Sequence, residues 1–166
     1  NNTGADQLIR QRALIVTNAD SKNGLNFSRD EASVTARVPF TTGQEAFTID
    51  WWMNAEWTSD NTNGIGESLE TLLLRTMGGG KMQLFLGGNS VNSYDNYVVP
   101  GEWHHYAVTF DKGSVTFYRD GVKQVVRTIA TTTLPAMSTF RIGGAATPFR
   151  GNMDEMRVWN SALTEE

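Results

Sequence analysis

The sequence predicts an all-β fold, namely a sandwich of two antiparallel sheets. Apolar and polar residues alternate along many short segments, which is typical of strands that bury one face. Turn-forming residues separate these segments at intervals of about 8–12 residues, the spacing found in sandwiches. No helical period is sustained before the last few residues, so helices contribute little to the predicted fold.

The first predicted strands are short. Apolar residues dominate 13–17 and 25–27, and the segment 32–38 alternates between apolar and polar positions. Turn-forming residues separate these segments from one another. Pro39 follows the third segment, and a proline, which has no amide hydrogen, suits the end or the edge of a sheet.

The segment 46–57 is the strongest predicted strand. Its apolar residues recur at every second position, so they share one face of an extended chain. The opposite face carries Asp50 and Trp52 among polar neighbours. We expect the first face to lie in the core, and its residues are Phe47, Ile49, Trp51 and Met53.

A predicted polar loop at 58–68, which is rich in Asn, Gly and Ser, follows this strand. Strands are expected at 71–75 and 81–88, and a second loop at 89–102. The rest of the chain predicts a meander of strands at 103–110, 115–118, 122–129, 140–144 and 151–159. The residues of this meander expected to face the core include Tyr106, Val108, Phe110, Val115 and Phe117.

Size and composition exclude several classes of protein. A chain of 166 residues fits one domain, which we assign to residues 13–166, with residues 1–12 as a polar arm or linker. The net charge is −4 and no basic stripe is present, so nucleic acid is not expected as a partner. No apolar run reaches membrane-spanning length, so no membrane insertion is expected. Cysteine is absent, which excludes disulfides and thiolate metal sites.

The composition also predicts where the protein works. Charged residues make up only 19% of the chain, and Thr, Asn, Ser and Gly are abundant, as in β-rich extracellular proteins. An animal secreted domain would more often carry a disulfide, so the lack of cysteine favours a bacterial exported protein. The chain begins with Asn1, and we expect it to be a segment of a longer protein at the cell surface, in the periplasm or outside the cell.

Several segments carry a family resemblance when they are taken in order. They are GLNFSRDEASVTARV (24–38), FTIDWWMNAEW (47–57), WHHYAVTFD (103–111), VTFYRDG (115–121), FRIGG (140–144) and FRGNMDEMRVWNSALTEE (149–166). Their wording and spacing resemble laminin-G-like domains of the concanavalin A-like lectin and glucanase family. The resemblance implies a two-sheet jelly roll with one concave sheet, and most modules of this kind bind glycans or proteins.

The sequence departs from the family at its opening motif. The family has Phe-Asp-Gly where this chain has Phe27-Ser28-Arg29, so the aspartate and the turn glycine are both replaced. Asp30 and Glu31 lie nearby, but no family calcium ligand is carried over to them. Other oxygen-rich loops occur at 60–63 and 92–96, and neither offers the roughly 6–8 oxygens that calcium takes. No cofactor is therefore required, and a structural calcium ion stays an open alternative.

No catalytic or metal-binding set stands out. Related glucanases carry Glu-x-Asp-x-x-Glu on one strand face, whereas the nearest acidic pair here, Asp154 and Glu155, is adjacent and points to opposite faces. Glu155 shares a face with Arg157 by simple alternation, which predicts an ion pair. His104 and His105 also point to opposite faces, so they are not expected to bind one metal ion.

Aromatic and amide residues in the loops are the best candidates for ligand binding. A sugar ring stacks its apolar face on an aromatic side chain, while its hydroxyl groups pair with amides and carboxylates. The predicted binding residues are Trp57, Asn61, Tyr94, Asn96 and Tyr97, all of them in loops, where binding residues are concentrated. Trp52, on the polar face of its strand, is another candidate, but we expect it to be packed under a loop, as we do Trp103 and Trp159.

Together these observations predict a binding module rather than an enzyme. The first hypothesis is a non-catalytic module whose partner is a polysaccharide or another glycan. The alternative is a structural or adhesive domain that contacts neighbouring domains or a protein partner. A glucanase-like glycoside hydrolase is a more distant alternative.

Overall fold

The structure is a computed structural model that describes residues 13–16, 25–26, 34–40, 43–56, 63–68, 71–134, 137–143 and 149–164. The predicted arm at 1–12 lies outside these residues. Side chains are described from residue 43 onward, except those of residues 63 and 138. Within the described ranges, no helix has the length and apolar character needed to cross a membrane.

The described residues form thirteen strands. In chain order they are β1 (Ala13–Val16), β2 (Leu25–Asn26), β3 (Val34–Phe40), β4 (Ala46–Ala55), β5 (Asn63–Ser68), β6 (Leu72–Met77), β7 (Lys81–Leu86), β8 (Asn89–Asn92), β9 (His104–Asp111), β10 (Ser114–Arg119), β11 (Val122–Thr128), β12 (Met137–Ile142) and β13 (Gly151–Trp159). A 3₁₀ turn, Gly78–Gly80, joins β6 to β7.

The strands form two antiparallel sheets, which confirms the predicted jelly-roll sandwich. The seven-stranded sheet has the order β1-β13-β4-β9-β10-β11, and β2 also pairs with β13. The six-stranded sheet has the order β3-β12-β5-β6-β7-β8. β3 contains Pro39 and is an edge strand, as expected for a residue without an amide hydrogen.

The core lies between the two sheets and contains the residues predicted from alternation. All four apolar residues of the inner face of β4, from Phe47 to Met53, are fully buried. Phe47 stacks on Phe110 with ring centroids 5.4 Å apart, and Trp51 stacks on Tyr106 at 6.1 Å. Burying one large apolar side chain contributes about 1.5–3 kcal/mol, so these pairs anchor the sandwich.

Two strands of the six-stranded sheet form where the sequence predicted loops. β5 lies within the predicted loop 58–68, and β8 lies within the predicted loop 89–102. β5 is held by its neighbours, because it pairs with both β12 and β6. A Cβ on Gly66 would lie 2.2 Å from the Phe140 ring, so the glycine is needed for this close packing. β5 is therefore a strand because of its tertiary contacts and not because of the β propensity of its own residues.

A β-bulge interrupts the pairing of β13 with β4. Asp154 lies opposite Trp52, but Arg157 lies opposite Asp50, so β13 has one extra residue between these pairs. Glu155 adopts a left-handed φ of 47°, and the Asp154 carboxylate accepts its amide hydrogen at 2.8 Å. Arg157 consequently lies on the same outer face as Asp154, contrary to simple alternation.

Candidate functional site

The outer face of the seven-stranded sheet contains a groove of about 660 Å³. Strand pairing aligns Arg157, Asp50, Ala107 and Tyr118 in one row across β13, β4, β9 and β10. Ala107 is by far the smallest side chain in this row. Its neighbours therefore rise above it on both sides, and the groove runs over its methyl group.

Asp50 organises one wall of the groove. The residue is buried, with 5% of its surface exposed, and both carboxylate oxygens accept hydrogen bonds. Oδ1 accepts from Arg157 Nε at 2.8 Å and from His105 Nε2 at 3.1 Å, and Oδ2 accepts from Trp159 Nε1 at 2.7 Å. A single carboxylate thus fixes a guanidinium, an imidazole and an indole in one orientation.

The same contacts set the charge of the groove. The Asp50 carboxylate compensates the Arg157 guanidinium, whose side chain is 31% exposed. Within the described residues, the two terminal nitrogens of Arg157 have no hydrogen-bond partner. The groove therefore offers guanidinium N–H donors beside Trp159 and Tyr118, which also line it.

The segment 160–164 after β13 forms the other end of the groove. Thr48 Oγ1 donates a hydrogen bond to the carbonyl oxygen of Ser161 at 2.8 Å and accepts one from the amide of Leu163 at 2.9 Å. Gln44 Nε2 donates to the carbonyl oxygen of Asn160 at 2.8 Å. Leu163 and the residue after it line the groove, so Thr48 holds this wall against the sheet.

Aromatic residues lie beside the groove on the same sheet face. Trp52 is 39% exposed, lies opposite His105 in the strand register and contacts its ring edge-on at 5.5 Å. Trp103, two residues before His105, is exposed to the same extent. The prediction that Trp52 and Trp103 are packed under loops is therefore wrong. Trp159 is partly buried, and its ring lines the groove.

A second histidine lies at the start of β9. His104 Nδ1 is 2.7 Å from Asp120 Oδ2, and its Nε2 is 3.1 Å from Glu102 Oε2. Burial alone would raise the pKa of Asp120, but the His105 amide, which donates to it at 3.0 Å, and the His104 ring outweigh that effect. The pKa of Asp120 is therefore lowered from its ordinary 3.8.

The predicted loop residues have different environments. Trp57 and Asn61 lie outside the described residues. Tyr94 and Asn96 are exposed, and the Arg127 guanidinium lies 4.9 Å from the centre of the Tyr94 ring. These two residues are on the surface, but neither lines the groove.

Tyr97 requires a correction, because the sequence placed it on a ligand-binding loop. It is only 3% exposed, and its hydroxyl donates to the carbonyl oxygen of Tyr118 at 2.5 Å. Its ring packs edge-on against Tyr106 and Phe117. Burial raises the pKa of Tyr97 well above its ordinary 10.0, and the nearby Tyr106 adds to the effect. Tyr97 therefore anchors its loop to the core.

The predicted ion pair between Glu155 and Arg157 is also wrong. The bulge makes Glu155 the extra residue of β13, and Arg157 Nε instead lies 2.8 Å from Asp50. His104 and His105 do contact different carboxylates, as their opposite orientations predicted. Among the described residues, no three His, Cys, Asp or Glu side chains form a group that could hold a metal ion.

Sequence reasoning missed the polar set of Asp50, His105 and Arg157. A signal was present, because Asp50 places a charged residue on the polar face of the strongest strand and His105 falls on the outer face of β9. Which strands are neighbours depends on the sheet order, and the position of Arg157 depends on the bulge. Neither feature is visible in the local pattern.

The family is decided by residues 21–166, which match the model of the concanavalin A-like lectin/glucanases superfamily. The chain belongs to this superfamily. No curated protein matches the chain at a significant level. The recognition of a laminin-G-like, concanavalin A-like domain from the sequence is thereby confirmed.

Solved structures show the same fold at low sequence identity. One such structure is domain 4 of AbnA, an extracellular arabinanase from Geobacillus stearothermophilus, in complex with arabinotriose. It is 20% identical to this chain with a TM-score of 0.64, and the match covers 92% of this chain and 78% of that one. A heptameric SAP-like pentraxin from Limulus polyphemus is 13% identical with a TM-score of 0.63, over 93% and 79% of the two chains. The botulinum neurotoxin serotype D binding domain is 12% identical with a TM-score of 0.69, over 92% of this chain but only 44% of that one.

Proposed function

We propose that this member of the superfamily is a non-catalytic, carbohydrate-binding module of an exported protein, and that a glycan binds in the groove over Ala107. The observation that carries the proposal is the wall fixed by Asp50. The buried carboxylate holds Arg157, His105 and Trp159 in place before any ligand arrives. A site whose side chains are already oriented loses little conformational entropy on binding.

The chemistry of the groove suits a sugar. The Trp159 ring supplies an apolar surface for the C–H face of a pyranose or furanose ring. The Arg157 guanidinium and the Tyr118 hydroxyl supply hydrogen bonds for hydroxyl groups along the edge of the sugar. The groove is open along the sheet, so a chain of several sugars fits better than a small, enclosed metabolite.

The same geometry argues against glycoside hydrolysis in the groove. That reaction needs two carboxyl groups on either side of the scissile bond, about 5–10 Å apart. Asp50 is the one carboxylate among the described groove residues, and both of its oxygens accept hydrogen bonds from the protein. The structure of domain 4 of AbnA, which holds arabinotriose, supports a binding role on this fold, but only by analogy.

The test is a binding screen of the purified domain by calorimetry against neutral and acidic polysaccharides, arabinan included, with calcium and with chelator. Ala107→Trp should fill the groove and abolish binding of any sugar held there. Thr133→Trp, at an exposed position between β11 and β12 that does not line the groove, is the matched control and should bind normally. Binding that survives Ala107→Trp would show that the groove is not the site. A loss of binding with chelator would add a calcium ion to the proposal.

A structural or adhesive role is the second candidate. Edge strand β11 exposes two apolar side chains, Val122 and Val126, and pairs only with β10 among the described strands. Such an edge can accept a strand from a protein partner. Val122→Lys with Val126→Lys would abolish such an interaction and leave sugar binding in the groove unchanged.

A further inference from the structure

The outer face of the six-stranded sheet carries a row of linked polar side chains. Arg75, Gln83 and Asn92 lie opposite one another on β6, β7 and β8. Arg75 Nε donates to Gln83 Oε1 at 2.7 Å, and Gln83 Nε2 donates to Asn92 Oδ1 at 2.9 Å. Neighbouring strands are about 4.8 Å apart, so the row spans about 10 Å.

Arg127 joins this row from the edge of the other sheet. Its Nε donates to the carbonyl oxygen of Asn92 at 3.1 Å, and its guanidinium lies 4.9 Å from the centre of the Tyr94 ring. Asn92 therefore contacts Gln83 through its side chain and Arg127 through its backbone. The two arginines belong to one connected surface, which we call the arginine row.

Among the described residues, no carboxylate compensates the positive charge of the arginine row. The neighbouring cations on this side of the sandwich have carboxylate partners, because Lys81 pairs with Asp95 at 3.1 Å and Arg141 pairs with Glu67. Within the described residues, Arg75 and Arg127 donate only to neutral amide and carbonyl oxygens. Both side chains are partly buried, which weakens their hydration. An anion bound on this surface would replace the water that partial burial removes from the two guanidinium groups. This local positive charge contrasts with the net charge of −4 of the whole chain.

Exposed aromatic rings flank the arginine row. Tyr94 is 58% exposed, and Phe85, two residues after Gln83 on the same face of β7, is also exposed. A run of acidic residues in a peptide has no ring to stack on these side chains, whereas every unit of an acidic sugar chain presents a ring face to them. The aromatic rings therefore favour a saccharide.

We propose that the arginine row is a second binding site, for an acidic polysaccharide whose carboxylate or sulfate groups bind Arg75 and Arg127. A uronate and a sulfate ester present the same feature, a compact anion with oxygens that accept from a guanidinium fork. Tyr94 stacks on a neighbouring sugar ring. The site lies on the opposite side of the sandwich from the groove and does not depend on the groove being occupied.

The experiment is affinity electrophoresis and calorimetry with polygalacturonate, dextran sulfate, neutral dextran and polyglutamate, at low and high ionic strength. Arg75→Gln with Arg127→Gln should weaken binding of the acidic polysaccharides about tenfold or more, the value of one lost charged hydrogen bond. Lys112→Gln with Lys123→Gln removes the same charge from the other sheet and should change the affinity less than about twofold. Tyr94→Ala, a surface change, should weaken binding several-fold without affecting folding.

The outcomes distinguish this proposal from the groove. Loss in the arginine variants and in Tyr94→Ala, with normal binding by Ala107→Trp, would support the arginine row. The tighter binding of either polygalacturonate or dextran sulfate would then show whether a carboxylate or a sulfate group is preferred. The proposal is overturned if no acidic polysaccharide binds, if both pairs of charge variants lose affinity equally, or if only Ala107→Trp loses binding. Tighter binding of polyglutamate would overturn it in favour of an acidic protein partner.

Discussion

Trp159, the last residue of β13, donates its indole N–H to the Asp50 carboxylate in the middle of β4, at 2.7 Å. The two residues are 109 positions apart in the chain, and the hydrogen bond joins the end of the last strand to the most strongly predicted strand. Arg157 reaches the same carboxylate from the same strand. The groove wall therefore forms only when β13 has paired with β4.

Asp50→Asn should destabilise the domain. The change leaves the Arg157 guanidinium without its charged partner and places an amide among three donors. We expect the free energy of unfolding to fall by about 2–3 kcal/mol, less than for a fully buried pair because Arg157 is partly exposed. Urea unfolding measures this, with the exposed Asp111→Asn as the control. Equal stability of the two variants would mean that the Asp50 contacts are energetically unimportant.

Thr48→Val should loosen the end wall of the groove. The valine has a similar shape but can neither donate to Ser161 nor accept from Leu163. We expect a loss of about 1–2 kcal/mol in stability and a several-fold loss in affinity for a ligand of the groove. Thr116→Val, in the same row but two strands away on β10, is the matched control in both assays. Unchanged affinity would show that the segment 160–164 does not contribute to binding.

Tyr97→Phe tests the reassignment of this residue from the ligand surface to the core. Removing the hydroxyl leaves the Tyr118 carbonyl oxygen without this donor in a buried site. The free energy of unfolding should fall by about 1–2 kcal/mol, while Tyr94→Phe, at an exposed position, should be neutral. If sugar binding instead falls in Tyr97→Phe without any change in stability, the residue has a direct binding role.

Asp120 should make the domain sensitive to acid. Its pKa is lowered below 3.8 in the folded state, so its ionised form contributes stability that is fully present above that pH. This contribution is lost as the pH falls through the lower pKa of the folded state. Asp120→Asn suits the left-handed backbone at this position, with φ of 52°, and cannot titrate. Urea midpoints between about pH 5 and pH 3 should fall more steeply for the native chain than for Asp120→Asn, and parallel curves would contradict the assignment.

Most of the fold was predictable because most strands bury one face. Alternation placed Phe47 to Met53 and Tyr106 to Phe110 correctly in the core. β5 was not predictable from its own residues, since its only large apolar side chain is Ile65 and its pairing is imposed by its neighbours. Pairing that depends on such long-range contacts cannot be predicted from the local sequence.

The groove was much less predictable than the fold. The sequence directed attention to loop aromatics, and one of those, Tyr97, packs into the core. The groove instead forms on a sheet face, from Asp50, His105 and Arg157 on three neighbouring strands. Each residue alone has an ordinary structural interpretation, and only the strand order and register bring them together.

Because of its bulge, β13 contains one residue more than its pairing with β4 requires. The pairs on either side of Glu155, Asp154 with Trp52 and Arg157 with Asp50, are both in register, and Glu155 is not needed by either. A chain one residue shorter at this point would keep Met153 and Met156 inside and Arg157 outside. Loss of one residue would exchange the two faces of an ordinary strand, whereas here it would keep both faces and the groove wall as they are.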